Sequence, residues 1–420
     1  MGASRATGTA GEWSDLGHHT GLLWGSCRGS GARPYRTLVR LDASGSSSTC
    51  SCPSRRAPCK HAVALQRLWS TGDVPDAQPP QDALSWAEGR SRASGRETPR
   101  TVDPEAAARR AAQRAERVRH GLEELDLWLA DQVRGGLAVL QRGGYGPVDQ
   151  MAARMVDAQA PGVAGLLRSL PARFVGDRWP ERTLEHLALI RLLVAGHRRL
   201  GDLPTELAET VRGRVGYPRS KDSVLAGPAV RDRWAVLGLV DVVDYRLTSR
   251  RVWLHGSDTG RWAVLLSFAV GGSSLDATVL PGVTIDADLH LYPGAGEHRA
   301  LLGHEHGRLE GVLDVPGIGV GEAAAEFGAL VAADPWAERL PVVLHGAPLP
   351  PDDEEDRWTF RGEDGLAVPM VPGVAAWPLL ARSMGDPIDV VGEWTRRGFH
   401  PLGFLPHPLD PVFSTEVLST

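Results

Sequence analysis

Three cysteines and a histidine fall within twelve consecutive positions, as Cys50-Ser51-Cys52 and Cys59-Lys60-His61 around the knuckle Pro53 to Pro58. Three thiolates and one imidazole form a closed, soft donor set that suits tetrahedral Zn²⁺. Four protein ligands leave no position for water, so the chemistry implied is structural rather than hydrolytic, and no residue is assigned as catalytic. One zinc ion is therefore the expected cofactor, held by Cys50, Cys52, Cys59 and His61. Residues two apart on a strand share a face, so Cys50 and Cys52 can meet a metal together. On a helix they diverge by about 200°, which puts Cys59 in the turn before a helix and His61 in its first turn. The chain has four cysteines in all, and such clustering is unlike a secreted disulfide framework. Cys27 lacks a partner at ligand spacing and reads as a buried or free thiol.

Three thiolates on a dication leave one negative charge, which Arg55, Arg56, Lys60 and a helix N-terminus are placed to offset. The same three side chains could instead contact a phosphate or a protein partner, and the spacing leaves both roles open.

Positioning these ligands takes a strand and then a helix. Leu22 to Trp24 and Arg36 to Leu41 read as strands of a hairpin, separated by a Gly/Ser-rich stretch. After Cys59 the pattern turns helical, with Ala62, Leu65 and Trp69 on one face and Gly72 and Pro75 as stop signals. The result is a ββα unit within residues 1–72. Residues 73–104 carry five prolines among Ser, Gly and Arg and read as a mobile linker. Residues 105–225 read as a helical domain: a long segment with Gly121 as an expected break, then helices over 148–170 and 180–200 that present Leu184, Leu187 and Leu192. Residues 226–420 read as a mixed α+β domain, with strands near 251–255, 261–268, 284–292, 341–345 and 357–361 and helices near 322–333 and 374–383. The expected fold class is α+β and multidomain.

The pattern C-x-C-x(n)-C-x-H, set in Cys50-Ser-Cys-Pro-Ser and Pro58-Cys-Lys-His-Ala before an apolar helix, resembles the SWIM-type zinc finger. Trp24-Gly25-Ser26-Cys27 and Gly29-Ser30-Gly31 upstream add to the likeness, which covers roughly residues 20–72. The stretch Met151 to Pro161 is similar to uncharacterised actinobacterial proteins that carry this finger. The resemblance implies a zinc-stabilised module that engages DNA or protein. It further implies an adaptor or scaffold role beside MoxR-type ATPases and von Willebrand factor A proteins, near which bacterial relatives are often encoded. No activity for residues 105–420 follows from it.

Charge divides along the chain. Residues 1–120 hold 18 basic and 11 acidic residues, a surplus of +7, whereas the remainder holds 28 and 40, or −12, within a whole-chain −5. The whole-chain value argues against a nucleic-acid coat, but that objection applies to the body only. At the basic end, Arg110, Arg114 and Arg117 are spaced i, i+4, i+7 on one helix face and are candidates for partner or phosphate contact, or a solvated face. Trp24, Tyr35 and Trp69 could stack on bases, but in so small a unit they are expected to form its core.

No Walker A loop, His-Glu-x-x-His or Gly-x-Ser-x-Gly occurs, and Gly319-Val-Gly321 before Glu322 reads as an ordinary strand-to-helix turn. The alternative of a metal-dependent enzyme would gather Asp286, Asp288, His304 and His306. Against it, Asp286, Asp288 and His290 alternate with the apolar Val283, Ile285, Ala287, Leu289 and Leu291, the pattern of a half-buried strand with a wet side. The acidic run Asp352 to Asp356 reads as a solvated loop. With no membrane-spanning stretch and no signal-peptide pattern, the expected location is cytoplasmic, without membrane contact.

Overall fold

A computed structural model describes residues 13–28, 34–42, 45–52, 59–70, 72–86, 104–244, 247–270, 275, 279–311, 315–351, 357–374, 376–405 and 416–417. Arg55, Arg56, both knuckle prolines and the acidic run at 352–356 lie outside these residues. The architecture is α+β: a small N-terminal sheet with one helix, a helical bundle, and a sheet-rich C-terminal region.

The N-terminal sheet is antiparallel in the order β1 (Trp13–His19), β2 (Leu22–Cys27), β3 (Tyr35–Asp42), β4 (Gly45–Cys50). The turn between β1 and β2, Thr20-Gly21, takes positive φ at both residues, 41° and 76°, as a tight twisted hairpin demands. The expected hairpin is β2–β3, and β1 and β4 flank it. All six residues of β2 are buried because both faces of the sheet are covered. On one face α1 (Lys60–Ser70) packs Ala62, Leu65 and Leu68 against Leu23 and Val39. Trp69, expected on that face, is instead 40% exposed and meets His18 edge-on at 6.5 Å; Leu68 takes the inner position one residue earlier.

The opposite face presents Leu22, Trp24 and Leu38, and the segment read as the start of a linker covers it. Ala83 is fully buried there with Ala77 and Trp86 alongside, and residues 81–86 are helical. Pro75 O accepts from His18 N–H at 2.9 Å, and Arg36 pairs with Asp82 at 2.8 Å. The linker expectation is thus corrected for residues 73–86: apolar strand residues that α1 cannot reach need a cover, and this segment supplies it. Residues 87–103 lie outside the described residues.

The bundle comprises α2 (Pro104–Gly135), α3 (Leu137–Gly143), α4 (Tyr145–Asp157), α5 (Pro161–Arg168), α6 (Trp179–Arg198) and α7 (Thr205–Val215). Gly121 does not break α2. A Cβ there would lie 2.4 Å from the Ala158 Cβ, so the glycine serves a close approach of α4 rather than a bend. Val118, Leu122, Leu125 and Leu129 carry the inner stripe of α2. On α6 the stripe is Leu187, Ile190, Leu193 and Val194, whereas Leu184 and Leu192, expected inside, are about half exposed at 48% and 46%.

Beyond α8 (Lys221–Leu225), the region read as one α+β unit contains two sheets. β5 (Val230–Asp244), β6 (Leu247–Gly256), β7 (Trp262–Val270), β9 (Arg299–Glu310) and β8 (Val283–Leu291) pair in that order, and β8 returns to β5, closing a barrel. Trp234, Leu254, Ile285 and Leu289 fill it. The second sheet runs β12 (Ala367–Pro369), β11 (Thr359–Gly362), β10 (Arg339–Leu349), β13 (Ile388–Thr395), β14 (Gly398–Phe404), packed with α9 (Val320–Ala333) and α10 (Trp377–Ser383). A short β15 (Glu416–Val417) joins β5 in parallel. The barrel and the second sheet are joined through buried Glu393, which accepts from Arg251 at 3.0 and 3.1 Å and from the Trp253 indole at 2.7 Å. Burial alone would raise this carboxyl, but His400, Arg251 and Arg339 hold it far below the usual carboxylate range. Trp336 pins the bundle to this body through its indole N–H to Leu189 O at 2.9 Å, beside the Arg214–Asp334 pair.

Candidate metal centre

Cys50 closes β4, Cys52 follows two residues later, Cys59 precedes α1 and His61 lies in its first turn, as the spacing requires. Their ligand atoms all lie within 4.8 Å of one another. His61 Nδ1 is 3.8 Å from Cys50 Sγ and 4.0 Å from Cys59 Sγ. A tetrahedron with Zn–S bonds of about 2.3 Å has edges of about 3.8 Å, so these donors already stand at the spacing one zinc ion needs. Cys50, Cys52, Cys59 and His61 are positioned to bind it.

Neighbouring elements fix each donor. Thr37 on β3 sits opposite Cys50, with Oγ1 3.2 Å from the sulfur, and Ser51 N–H bonds back to Arg36 O at 3.0 Å, so the sheet ladder carries into the ligand turn. Tyr35 packs its ring on that of His61 at 5.1 Å. These orienting residues carry no motif of their own, and the two-residue alternation along β3 is the one sequence signal that could have found Tyr35 and Thr37 together. Val63 N–H donates to Cys59 O at 3.1 Å, which starts α1 directly at the ligand.

Burial pushes the Cys50 thiol up to about 12. Cys59 is buried too, but backbone N–H groups of Ala62 and His61, with Cys52 between them in weight, outweigh that and hold it below the usual thiol range. Burial, aided by the Lys60 charge, lowers His61 and keeps its ring neutral, as a metal ligand must be. A dication at the centre of such a set deprotonates its thiols outright. Cys27 is buried on β2 beside the Arg28 carbonyl and is not a member of the ligand group.

The candidate partner residues fare differently. Lys60 is exposed at the start of α1. On α2, Arg110 and Arg117 are exposed, while Arg114 donates to Gln159 at 3.1 Å. The flanking Arg119 is held by Glu116 and Glu123 at 2.6 Å, and Arg109 by Glu105 at 3.4 Å. Trp24 is buried between the sheet and its cover, away from any base.

Of the Asp/His set of the barrel, Asp288 meets His306 and the His304 ring stands edge-on to that of His306 at 4.5 Å, but the four do not gather their donors at ligating distance. Asp286 is taken by Arg231 at 2.9 Å, Asp288 by His306 at 3.0 Å, and His290 Nδ1 lies 3.2 Å from Gly227 O. Among the described residues, the Cys50 group is the one with three or more donors at ligating distance. At Gly319 the strand-to-helix turn is filled from within, since Asp364 accepts from Gly321 N–H at 2.8 Å.

The SWIM zinc finger family matches residues 35–65, and the SWIM-associated four-helix bundle domain matches residues 113–215. These segments are β3 to α1, which carries all four ligands, and the bundle from within α2 to the end of α7. No curated protein and no solved structure matches the chain. Among the described residues no helix is long and apolar enough to cross a membrane. The chain thus carries a SWIM zinc finger at residues 35–65 and, at residues 113–215, the four-helix bundle domain associated with that finger.

Proposed function

We propose that this chain is a non-catalytic interaction protein of the cytoplasm, in which zinc holds the finger in a form that docks a protein partner. The observation that carries the reading is the closed donor set: with all four positions taken by Cys50, Cys52, Cys59 and His61, the metal has a shape to maintain and no open site for chemistry. A protein partner is favoured over DNA by the state of the arginine helix, where Arg109 and Arg119 are matched by acidic neighbours and Arg114 is tied to α4's end. The partner class that the resemblance suggests is a MoxR-type ATPase or a von Willebrand factor A protein.

The test is a pairwise capture assay with those purified candidates, run with zinc-loaded wild type and with Cys59→Ala, beside DNA binding across salt. Capture by wild type that Cys59→Ala abolishes supports the adaptor. Tight DNA binding that falls steeply with salt and is weakened by Arg55→Ala or Arg110→Ala overturns it in favour of nucleic acid. Two bound metals per chain, rather than one, would bring back an enzyme using Asp286 and His306.

A further inference from the structure

The bundle, the barrel and the second sheet meet around a cavity of ≈ 610 Å³, walled by α7, the turn between β8 and β9, and the start of β10. Small-molecule sites run at about 300–1,000 Å³ and concentrate at such junctions. This wall is rich in arginine, and its charges are matched unevenly. Arg212, at 2.8 Å, and Arg219 share the single carboxylate of Glu209. Arg251 and Arg339 share Glu393, and Arg339 Nε is buried without a hydrogen bond, 3.6 Å from that carboxylate. Arg299 lies 4.2 Å over the Tyr292 ring and has no carboxylate partner among the described residues.

The remaining wall carboxylates are held within the wall itself: Asp334 by Arg214, Glu338 by the outer nitrogen of Arg339, and Glu297 by the Arg299 backbone N–H, which leaves the Arg299 guanidinium without a carboxylate among the described residues. His298 stays neutral, since burial pushes it down to about 4, and so adds hydrogen-bonding capacity without charge. Val264, paired in register with Arg299, and Leu266 give the cavity an apolar strip.

We propose that this cavity binds a small organic anion bearing phosphate or carboxylate groups, with its charge on Arg212, Arg219 and Arg299 and its carbon body along Val264 and Leu266. A guanidinium fork matches either group in a bidentate way, and partial exclusion of water strengthens the contact. The site lies in residues 209–339, apart from the finger, so it stands or falls independently of the adaptor reading.

Titration calorimetry on the full-length, zinc-loaded protein tests it, with AMP and citrate as the two sources of anion and adenosine as the uncharged control. At least one anion should bind with Kd below about 1 mM, and adenosine at least about tenfold more weakly. Arg299→Ala should weaken binding about tenfold or more, and Arg299→Lys, which keeps the charge but not the fork, by less. Arg134→Ala, at the exposed far end of α2, should leave it unchanged, and circular dichroism checks that each variant is folded. The proposal is overturned if neither anion binds at about 10 mM, if adenosine binds as well as AMP, or if folded Arg299→Ala binds like wild type.

Discussion

In the N-terminal module the main core has nine buried residues among those described, one of them the metal ligand Cys59, while the bundle core has twenty-one, twenty carbon-rich side chains of the bundle itself and Trp336 from beyond it. Apolar burial stabilises at roughly 25 cal/mol per Å², so the bundle can hold itself together, and a unit as small as the finger requires a second source of stability. Its β4 shows the need: Ser48 and Thr49 lead into Cys50 with no apolar side chain among the described positions of the strand. Metal ligation takes the place that a hydrophobic strand would otherwise fill. One protein thus contains two answers to the same deficit of surface over volume.

The comparison breaks most visibly at Cys59. Structural zinc contributes on the order of 10 kcal/mol of apparent free energy, so Cys59→Ala should lose the ion and unfold β3, β4 and α1 together. The bundle should not notice. Hydrogen exchange should show loss of protection in Tyr35 to Leu41 alongside unchanged protection in Leu122 to Leu129, with metal content falling from about one per chain to none. Retained protection in β3 after zinc removal would mean that the cover at 73–86 holds the sheet by itself.

The same contrast decides what could be read in the sequence. Metal ligands must be of particular chemical types close together along the chain, so Cys50, Cys52, Cys59 and His61 were legible, as was the strand-then-helix frame that holds them. Regular helices and alternating strands were legible too, down to α9 and β8. The rest depends on partners far away in sequence. Nothing local in Asp82 or Ala83 says that they cover Leu22 and Trp24 sixty residues earlier, and prolines at 75, 79 and 80 suggest the opposite. Gly121 reads as a helix breaker until Ala158 is seen against it. The arginine cavity joins positions 212, 251, 299 and 339 from four elements, a convergence that no window of sequence contains.

Acid should sharpen the comparison from the bundle's side. His186 is buried on α6, its Nε2 2.7 Å from Leu166 O, and burial followed by the Arg173 charge lowers it from 6.5 to about 4. In the unfolded chain it protonates near 6.5, so its contribution is fully present above that pH and is lost as pH falls from 6.5 towards 4. The loss amounts to roughly 3 kcal/mol, small beside the zinc effect but large for one side chain. Denaturant melts of the bundle at pH 7 and pH 4.5 should separate by most of that amount, and His186→Gln, which can still donate to Leu166 O, should bring them together. Unchanged separation in His186→Gln would assign the effect to other groups.

Two glycines test whether the bundle is as tightly packed as its core implies. Gly121→Ala gains up to about 1 kcal/mol of helix propensity. The new methyl, however, would stand 2.4 Å from Ala158 Cβ, and α4 must shift to admit it. Overpacking of this kind costs about 1–3 kcal/mol, so a net loss of about 1 kcal/mol is expected. Gly165, exposed on α5 with nothing within 4 Å of the same added atom, has the propensity gain and no clash. Gly165→Ala should therefore stabilise by about 0.5–1 kcal/mol. Opposite signs in the two melts mark a bundle whose helices already touch at van der Waals distance; equal gains would show that α2 and α4 have room to part, and that the bundle, like the finger, draws its stability from somewhere other than close packing.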